Sequence, residues 1–569
     1  MSNTKDLWTK EGKELKGIPW DVYPRPLLKR DSFVNLNGEW DFAVCKKDES
    51  TVNYNKKITV PFAPQSLLSG VNELISDTDT VYYKRTFTLP DDFNKGFVYL
   101  HFGAVDQFAE VRLNGYLLGS HWGGYSPFSF DVSDCIKREN VIEVKVIDEL
   151  DKHVLPYGKQ KHKRGGMWYT PVTGIWQSVW LESVPQNHIT DVSYTVSGDT
   201  VKISVKGSEN GLVTVNTPDG DIVCELRKST VEVKLTSVRY WSPEDPYLYY
   251  FTVTTDCDKV QSYFAVRTLE IKEINGIKRL CLNGEPYFFH GLLDQGYWSD
   301  GLFTPATPEL FIKDIETAKS LGFNMLRKHI KLEPQLFYYY CDKLGMIVFQ
   351  DMVNNGHYSF FRDTALPTVG LQKMSDKCLH CNKETRGAFI KSMLDTAQLL
   401  KNHPSVCYWT IFNEGWGQFK ADEMYKLLKK ADGTRFIDST SGWFRRKKTD
   451  VDSRHVYFKK VKLKASDKPL VLSEFGGYSY KPEGHVFNTE QTYGYAKYES
   501  REDFVKAISD LYNNEILPLV PMGLCAAVYT QVSDVEDETN GILSYDREVL
   551  KIQPSEFYEI SETVKNAVK

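Results

Sequence analysis

Past residue 270, apolar segments of strand length alternate with amphipathic helical ones, and this alternation restricts the fold more than any other feature of the chain. Eight candidate strands follow one another: YFFHGLLD, NMLRKHI, MIVFQDM, VCYWTIFNE, RFIDSTS, HVYFKK, LVLSEFG and CAAVYTQV. Helical stretches at 387–402, 421–432 and 500–516 separate several of them. A further one, TPELFIKDIETAKSLG, marks its own ends, with Thr307 as N-cap, Pro308 at the first helical position and Gly322 past the last turn. Eight βα units over residues 270–569 predict a C-terminal (β/α)8 TIM barrel. An open doubly wound sheet would need a phosphate loop after its first strand, and no G-x-G-x-x-G stands there.

Ahead of the barrel the apolar period is two. Residues 1–185 contain GEWDFAV, VYYKRTFTL, GFVYLHFG, AEVRLNGYLLG and VIEVKVID, and Asn114-Gly115 supplies the positive φ angles of a tight hairpin. This pattern predicts a jelly-roll-type β-sandwich. Residues 186–269 continue in shorter units such as DVSYTVSGDTVKISVKG and YLYYFTVTTD, with a turn at Pro218-Asp219-Gly220, and predict an immunoglobulin-like β-sandwich. A multidomain chain is what 569 residues require, since one core does not grow to that size.

Composition limits the partners. A hydrophobic fraction of 41% with 25% charged residues is that of a soluble globular protein, and a net charge of -5 gives no general attraction to nucleic acid. The N-terminus has no apolar h-region and no segment reaches membrane length, so a soluble, cytoplasmic protein without a membrane partner is expected. Ten cysteines scattered from Cys45 to Cys525 fit free thiols in a reducing compartment. Cys378-x-x-Cys381 would need two more suitably spaced ligands to close a zinc site, so neither a metal nor a cofactor is expected.

Active sites of such barrels lie at the C-terminal ends of the strands, and two candidate strands end in a glutamate, Glu414 in the fourth and Glu474 in the seventh. A carboxylate that follows an apolar strand must be solvated or hydrogen-bonded, because burying it unpaired is costly. Two carboxyl groups across one mouth suit glycoside hydrolysis, in which one protonates the leaving oxygen and the other attacks the anomeric carbon or activates water. Structural ion pairs with rim cations such as Arg327 or Lys328 are the alternative at this point.

The motifs PRPLLKRDSFVNLNGEWDFA, VRLNG, GIWQSVWLE, NHPSVCYWTIFNEG and LVLSEFGG occur in an order that resembles glycoside hydrolase family 2, the family of β-galactosidases, β-glucuronidases and β-mannosidases, over nearly the whole chain. The resemblance implies a sugar-binding-type jelly roll, an immunoglobulin-like sandwich and a catalytic barrel. It also implies a retaining hydrolase with Glu414 as acid/base, Glu474 as nucleophile, and Asn413 as the residue that hydrogen-bonds the sugar 2-hydroxyl. Tyr457 resembles the tyrosine that hydrogen-bonds the nucleophile, and His329 and Asp294 occupy places suited to sugar hydroxyls, with a salt bridge to a rim cation as the other reading of Asp294. Trp298 and Trp443, on loops after the first and fifth strands, are candidates for packing on sugar rings. The partner implied is a carbohydrate substrate, and the family often forms homo-oligomers.

Departures from the family pattern bear on the sugar. Glucuronide-cleaving members carry a barrel Asn-x-Lys for the sugar carboxylate, and none stands between residues 270 and 569. Tyr529 and Gln531 occupy the last strand, where large β-galactosidases place a tryptophan platform. The expectation is a retaining exo-β-glycosidase, most simply a β-galactosidase, with another neutral β-glycosidase or an α-L-arabinopyranosidase as alternatives and a non-catalytic carbohydrate-binding protein as the alternative from another class. Two long connections, 353–386 and the aromatic-rich 475–499, are expected to build subsites, and the run Arg445 to Lys448 is either a solvated surface or a site of attraction for an acidic glycan.

Overall fold

The computed structural model describes residues 4–568 apart from 50, 369, 372–374, 378 and 381. The Cys378-x-x-Cys381 pair therefore lies outside the described residues, and the other eight cysteines are free thiols.

Two antiparallel sheets form the first sandwich. One has four strands, with Phe97–Phe102 between Val179–Val184 and Phe128–Asp131; the other has six, with Asp79–Thr88 and Glu139–Ile147 at its centre. Along Glu139–Ile147 every second residue is buried, so Ile142, Val144 and Val146 face Val98, Leu100 and Leu181 in one core. The hairpin between Phe108–Leu113 and Tyr116–Trp122 turns at Asn114 and Gly115, whose φ values of 53° and 84° are those of the predicted tight turn. In the second sandwich seven antiparallel strands, from Asp191–Ser197 to Lys259–Phe264, enclose a core of Val201, Val213, Val233 and Phe251.

All eight predicted barrel strands are present: β1 (Phe289–Asp294), β2 (Met325–Lys328), β3 (Ile347–Asp351), β4 (Val406–Thr410), β5 (Phe436–Asp438), β6 (Asp452–Val456), β7 (Leu470–Gly476) and β8 (Leu524–Thr530). They are parallel and ordered 5-4-3-2-1-8-7-6, and the ring closes between β5 and β6 through Asp450, whose N–H donates to the Ile437 carbonyl at 2.9 Å and whose carboxylate accepts from the Ile437 N–H at 2.9 Å. Every residue of β1 to β4 is buried, which is why these strands appear as apolar runs rather than alternating ones.

Six strands, not eight, lead into a barrel helix. These are α1 (Glu309–Ser320), α2 (Gln335–Leu344), α3 (Lys383–Leu400), α4 (Ala421–Ala431), α5 (Arg501–Leu511) and α6 (Pro554–Asn566), while β5 and β6 are followed by loops among the described residues. Thr307 does not cap α1 with its side chain: Pro308 takes the cap position with helical angles, and Thr307 offers only its carbonyl, to the Leu310 N–H at 3.2 Å. At the other end Gly322 has a φ of 86°, the left-handed conformation expected past a last turn. No helix among the described residues is long and apolar enough to cross a membrane.

The first sandwich does not stop at its own core. Its segment 150–173 crosses to the strand ends of the barrel, where the Tyr157 N–H donates to the Asn354 carbonyl at 3.0 Å and the Tyr157 hydroxyl to the Gly356 carbonyl at 2.8 Å. Further along, the Thr170 N–H donates to Glu536 at 2.9 Å and Tyr169 donates to Glu538. This segment has no period, so its destination is not written in a local pattern.

Candidate active site

Beyond β4 the chain keeps the direction of the strand, because the Ile411 N–H donates to the Asp438 carbonyl at 2.9 Å and the Glu414 N–H to the Ser441 carbonyl at 3.0 Å. Glu414 has a φ of 50°, an uncommon value for a residue with a Cβ, and such backbone conformations concentrate at functional sites. Glu474 is aimed by another irregularity. β7 carries an extra residue against β6, so that Arg454 pairs with Leu472 but His455 pairs with Glu474, and this bulge turns the carboxylate into the mouth.

His455 joins the two glutamates. Its Nδ1 lies 2.8 Å from Glu414 Oε1 and 3.5 Å from Glu474 Oε2, and each of the three residues places a ligand atom within 4.8 Å of those of the other two. These atoms could hold a divalent ion only in competition with the proton of the acid; Asp77, Asp151 and His162 on the first sandwich are the other such group among the described residues.

The environments of the two carboxyl groups differ. Burial would raise Glu474, but His455, the Arg327 guanidinium and the Lys159 ammonium outweigh it and hold the carboxyl at about 2. Arg327 Nη1 lies 2.9 Å from Glu474 Oε1, and the Tyr457 hydroxyl donates to Oε2 at 2.8 Å. Glu414 has no such clamp. Burial raises it and the charge of Glu474 adds to the rise, against the hydrogen bond and charge of His455 and the charge of Lys159. A carboxylate beside a carboxylic acid is the pairing that separates nucleophile from acid.

Asn413 accepts from Arg327 Nη2 at 2.9 Å through its Oδ1, which fixes the amide and points its NH2 group away from the guanidinium. Arg327 also binds Asp351 at 3.0 Å. The ion pair between a strand-end glutamate and Arg327 is thus present, and it holds Glu474 ionised. His329 Nδ1 sits 3.0 Å from Asp351 and 3.9 Å from Glu474; burial, with the charge of Lys159 adding, pushes the imidazole down to about 4, so it is neutral. Trp443 packs beside His455 with ring centroids 6.4 Å apart.

Asp294 takes the salt bridge of its two readings, and Trp298 is placed differently from expectation. The Asp294 carboxylate is occupied by Lys328 at 2.6 Å and by the Gly296 N–H at 2.9 Å. Trp298 is packed in the core, edge-on to Phe311 and under the Arg547 guanidinium at 4.1 Å, because its loop folds back in a bridge to Leu302. Arg445 and Arg446 are paired with Asp452 at 2.8 Å and Asp376 at 3.1 Å, so these two cations of the basic run are held to their own surface.

Residues that pattern alone passed over complete the pocket. Trp416 stacks on Trp168 of the first sandwich at 5.5 Å and stands edge-on to His329 at 6.5 Å. From the 475–499 connection, Tyr495 stacks on Tyr457 at 3.7 Å. His455 was visible as part of HVYFKK, but its role depends on the β6–β7 register.

The hydrogen bond from His455 lowers Glu414, so its loss has a definite sign. A general acid works only while protonated, and a higher pKa keeps it protonated to higher pH. His455→Asn is therefore expected to move the basic limb of the kcat/KM profile upward, by about one pH unit. A limb that stays in place or moves down would remove this role.

Comparison with known proteins gives matches along most of the chain. Residues 272–547 match the family profile "Glycosyl hydrolases family 2, TIM barrel domain", residues 50–173 match "Glycosyl hydrolase 2 galactose-binding domain-like", and residues 182–267 match "Glycosyl hydrolases family 2". A β-galactosidase of Thermoanaerobacter pseudethanolicus is 29% identical over 301 residues, which are 48% of this chain and 39% of that protein; the chain thus spans well under half of that relative's length. A β-glucuronidase of Canis lupus familiaris is 25% identical over 72% of this chain and 67% of its own length. Among solved structures, the β-D-glucuronidase of Dictyoglomus thermophilum superposes with a TM-score of 0.72 over 96% of this chain and 98% of its own, at 19% identity, a likeness of fold.

Proposed function

The chain belongs to glycoside hydrolase family 2, and on that footing we propose that it is a retaining exo-β-glycosidase that removes a terminal β-linked sugar by double displacement. The observation that carries the reading is the spacing of the two carboxyl groups, whose nearest oxygens lie within 4.8 Å. Retaining enzymes hold their carboxyl groups about 5–5.5 Å apart, whereas inverting ones leave room for a water at roughly 6.5–9.5 Å.

The steps follow from the two environments. Glu474, ionised by Arg327 and aligned by Tyr457, attacks the anomeric carbon, while Glu414 gives its proton to the departing oxygen. The glycosyl ester that forms on Glu474 cancels its charge, which removes one of the influences raising Glu414. Glu414, now a carboxylate, takes a proton from water as that water attacks the ester, and the sugar leaves with its configuration retained. Asn413, with its carbonyl oxygen fixed by Arg327, offers its NH2 group to the 2-hydroxyl, a contact that strengthens in the oxocarbenium-like transition state.

The relatives' printed activities divide between galactosides and glucuronides. The β-galactoside is the neutral reference substrate, and an α-L-arabinopyranoside differs from it by lacking the C6 group. Trp443, beside His455, and Tyr495, stacked on Tyr457, would pack on a sugar ring or on the aglycone. Early product analysis by proton NMR on any cleaved nitrophenyl β-glycoside is expected to show the β anomer first, with the α anomer growing in by mutarotation. An α anomer that appears first would overturn the double displacement.

A further inference from the structure

The described residues include eight buried lysines and arginines, and seven of them are spoken for: Arg30 by Asp258, Arg327 by Asp351 and Glu474, Lys328 and Lys331 by Glu333, Arg435 by Asp432, Lys551 by Asp534, and Arg279 by backbone carbonyls. Lys159 is the exception. It is 7% exposed, its ammonium lies over the Tyr169 ring at 5.4 Å, and it has no ion pair or side-chain hydrogen bond with any described residue. The residue is largely buried while its ammonium stays open to solvent, so the group is free to meet an anion that arrives with a ligand.

Its position says which ligand. Tyr157 is bonded to the Asn354 and Gly356 carbonyls, and a Cβ on Gly158 would come within 3.0 Å of the Ile330 carbonyl, so the chain reaches Lys159 directly beside the residue that follows His329. The other arm of the same loop stacks Trp168 on Trp416, the ring that stands edge-on to His329. The ammonium is close enough for its charge to act on Glu414, Glu474 and His329 together. These contacts bring the loop that carries Lys159 to the barrel mouth that holds both glutamates.

We propose that Lys159, delivered by the first sandwich, binds a carboxylate at C6 of the glycone, so that the preferred substrates are β-hexuronides rather than neutral β-galactosides. The absence of a barrel Asn-x-Lys argues against the carboxylate site of the family's glucuronide-cleaving members, and the cation proposed here comes from a different domain. A neutral hydroxyl would satisfy one hydrogen bond of the ammonium, but only an anion offsets its charge. A carboxylate on the aglycone offers the same chemistry from another source, and the experiment separates the two. The proposal rests on the double-displacement reading above.

The test compares wild type, Lys159→Met and Lys159→Arg on nitrophenyl β-D-galacturonide, β-D-glucuronide, β-D-galactoside and β-D-glucoside, and on a β-galactoside whose aglycone bears a carboxylate. Wild type is expected to favour one hexuronide over its neutral counterpart in kcat/KM, and Lys159→Met to reduce that preference by about 100-fold, with Lys159→Arg retaining part of it. Thermal melting identifies a variant that fails to fold, and Lys159→Arg then decides alone through the same ratio. Equal losses on acidic and neutral glycones, or a response confined to the acidic aglycone, would overturn the proposal. Cleavage of neutral glycosides with no hexuronide activity would also overturn it while leaving the glycosidase reading intact, whereas cleavage of none would remove both.

Discussion

Glu474→Gln is expected to lower kcat on every glycoside the enzyme cleaves, by on the order of 10⁵-fold, because removing a nucleophile leaves only binding and polarisation. The amide keeps the shape of the side chain and can still meet Arg327 and the Tyr457 hydroxyl, so KM should change little and circular dichroism should match wild type. Full activity in this variant would end the assignment of Glu474 as nucleophile. The variant also carries a stability signature. The folded pKa of about 2 lies below the ordinary carboxylate value. The stabilisation from ionised Glu474 is therefore present above that ordinary value and lost as pH falls through about 2, and it amounts to a few kcal/mol. Urea unfolding should show wild type more stable than Glu474→Gln at pH 7, with the gap narrowing towards pH 3. A gap that widens in acid would mean that Arg327 does not hold the carboxylate ionised.

The parts of this molecule that were legible in sequence are those fixed by local physics. Buried parallel strands must be apolar on both faces, so β1 to β4 stood out as runs such as VCYWT, and a carboxylate directly after such a run stood out against it. Turns that demand positive φ announced themselves as Asn114-Gly115. The rest depends on register or on long-range packing. Whether His455 meets Glu414 or points elsewhere is decided by one extra residue in β7, which no period reveals. Trp298 follows a barrel strand as a sugar-packing tryptophan would, yet its loop folds back on Leu302 and buries the ring. Helices after β5 and β6 were expected from the rhythm of the barrel, and loops stand there instead, one of them carrying Trp443. Lys159 was beyond reach for a further reason, since its neighbours at the site are more than 150 residues away in sequence and belong to another domain.

For Glu414→Ala the expected loss depends on the leaving group, and that dependence separates an acid from a residue that merely shapes the pocket. A dinitrophenolate departs without a proton, so the first step should survive with about a tenfold loss, whereas a poor alkoxide leaving group should lose about 10³- to 10⁴-fold. The second step fails for a different reason, because water no longer has a base and the glycosyl ester on Glu474 accumulates. Azide needs no deprotonation, and the alanine vacates space beside His455, whose Nδ1 faced the lost carboxylate at 2.8 Å. Added azide should therefore raise turnover of the dinitrophenyl glycoside at least about tenfold and yield the β-glycosyl azide, since the attack reopens the face the aglycone left. The same anion should do nothing for Glu474→Gln, where no ester forms. Equal losses on good and poor leaving groups, or an α-configured azide product, would take the acid/base role away from Glu414. The α product would go further and show that the nucleophile does not stand on the opposite face of the sugar.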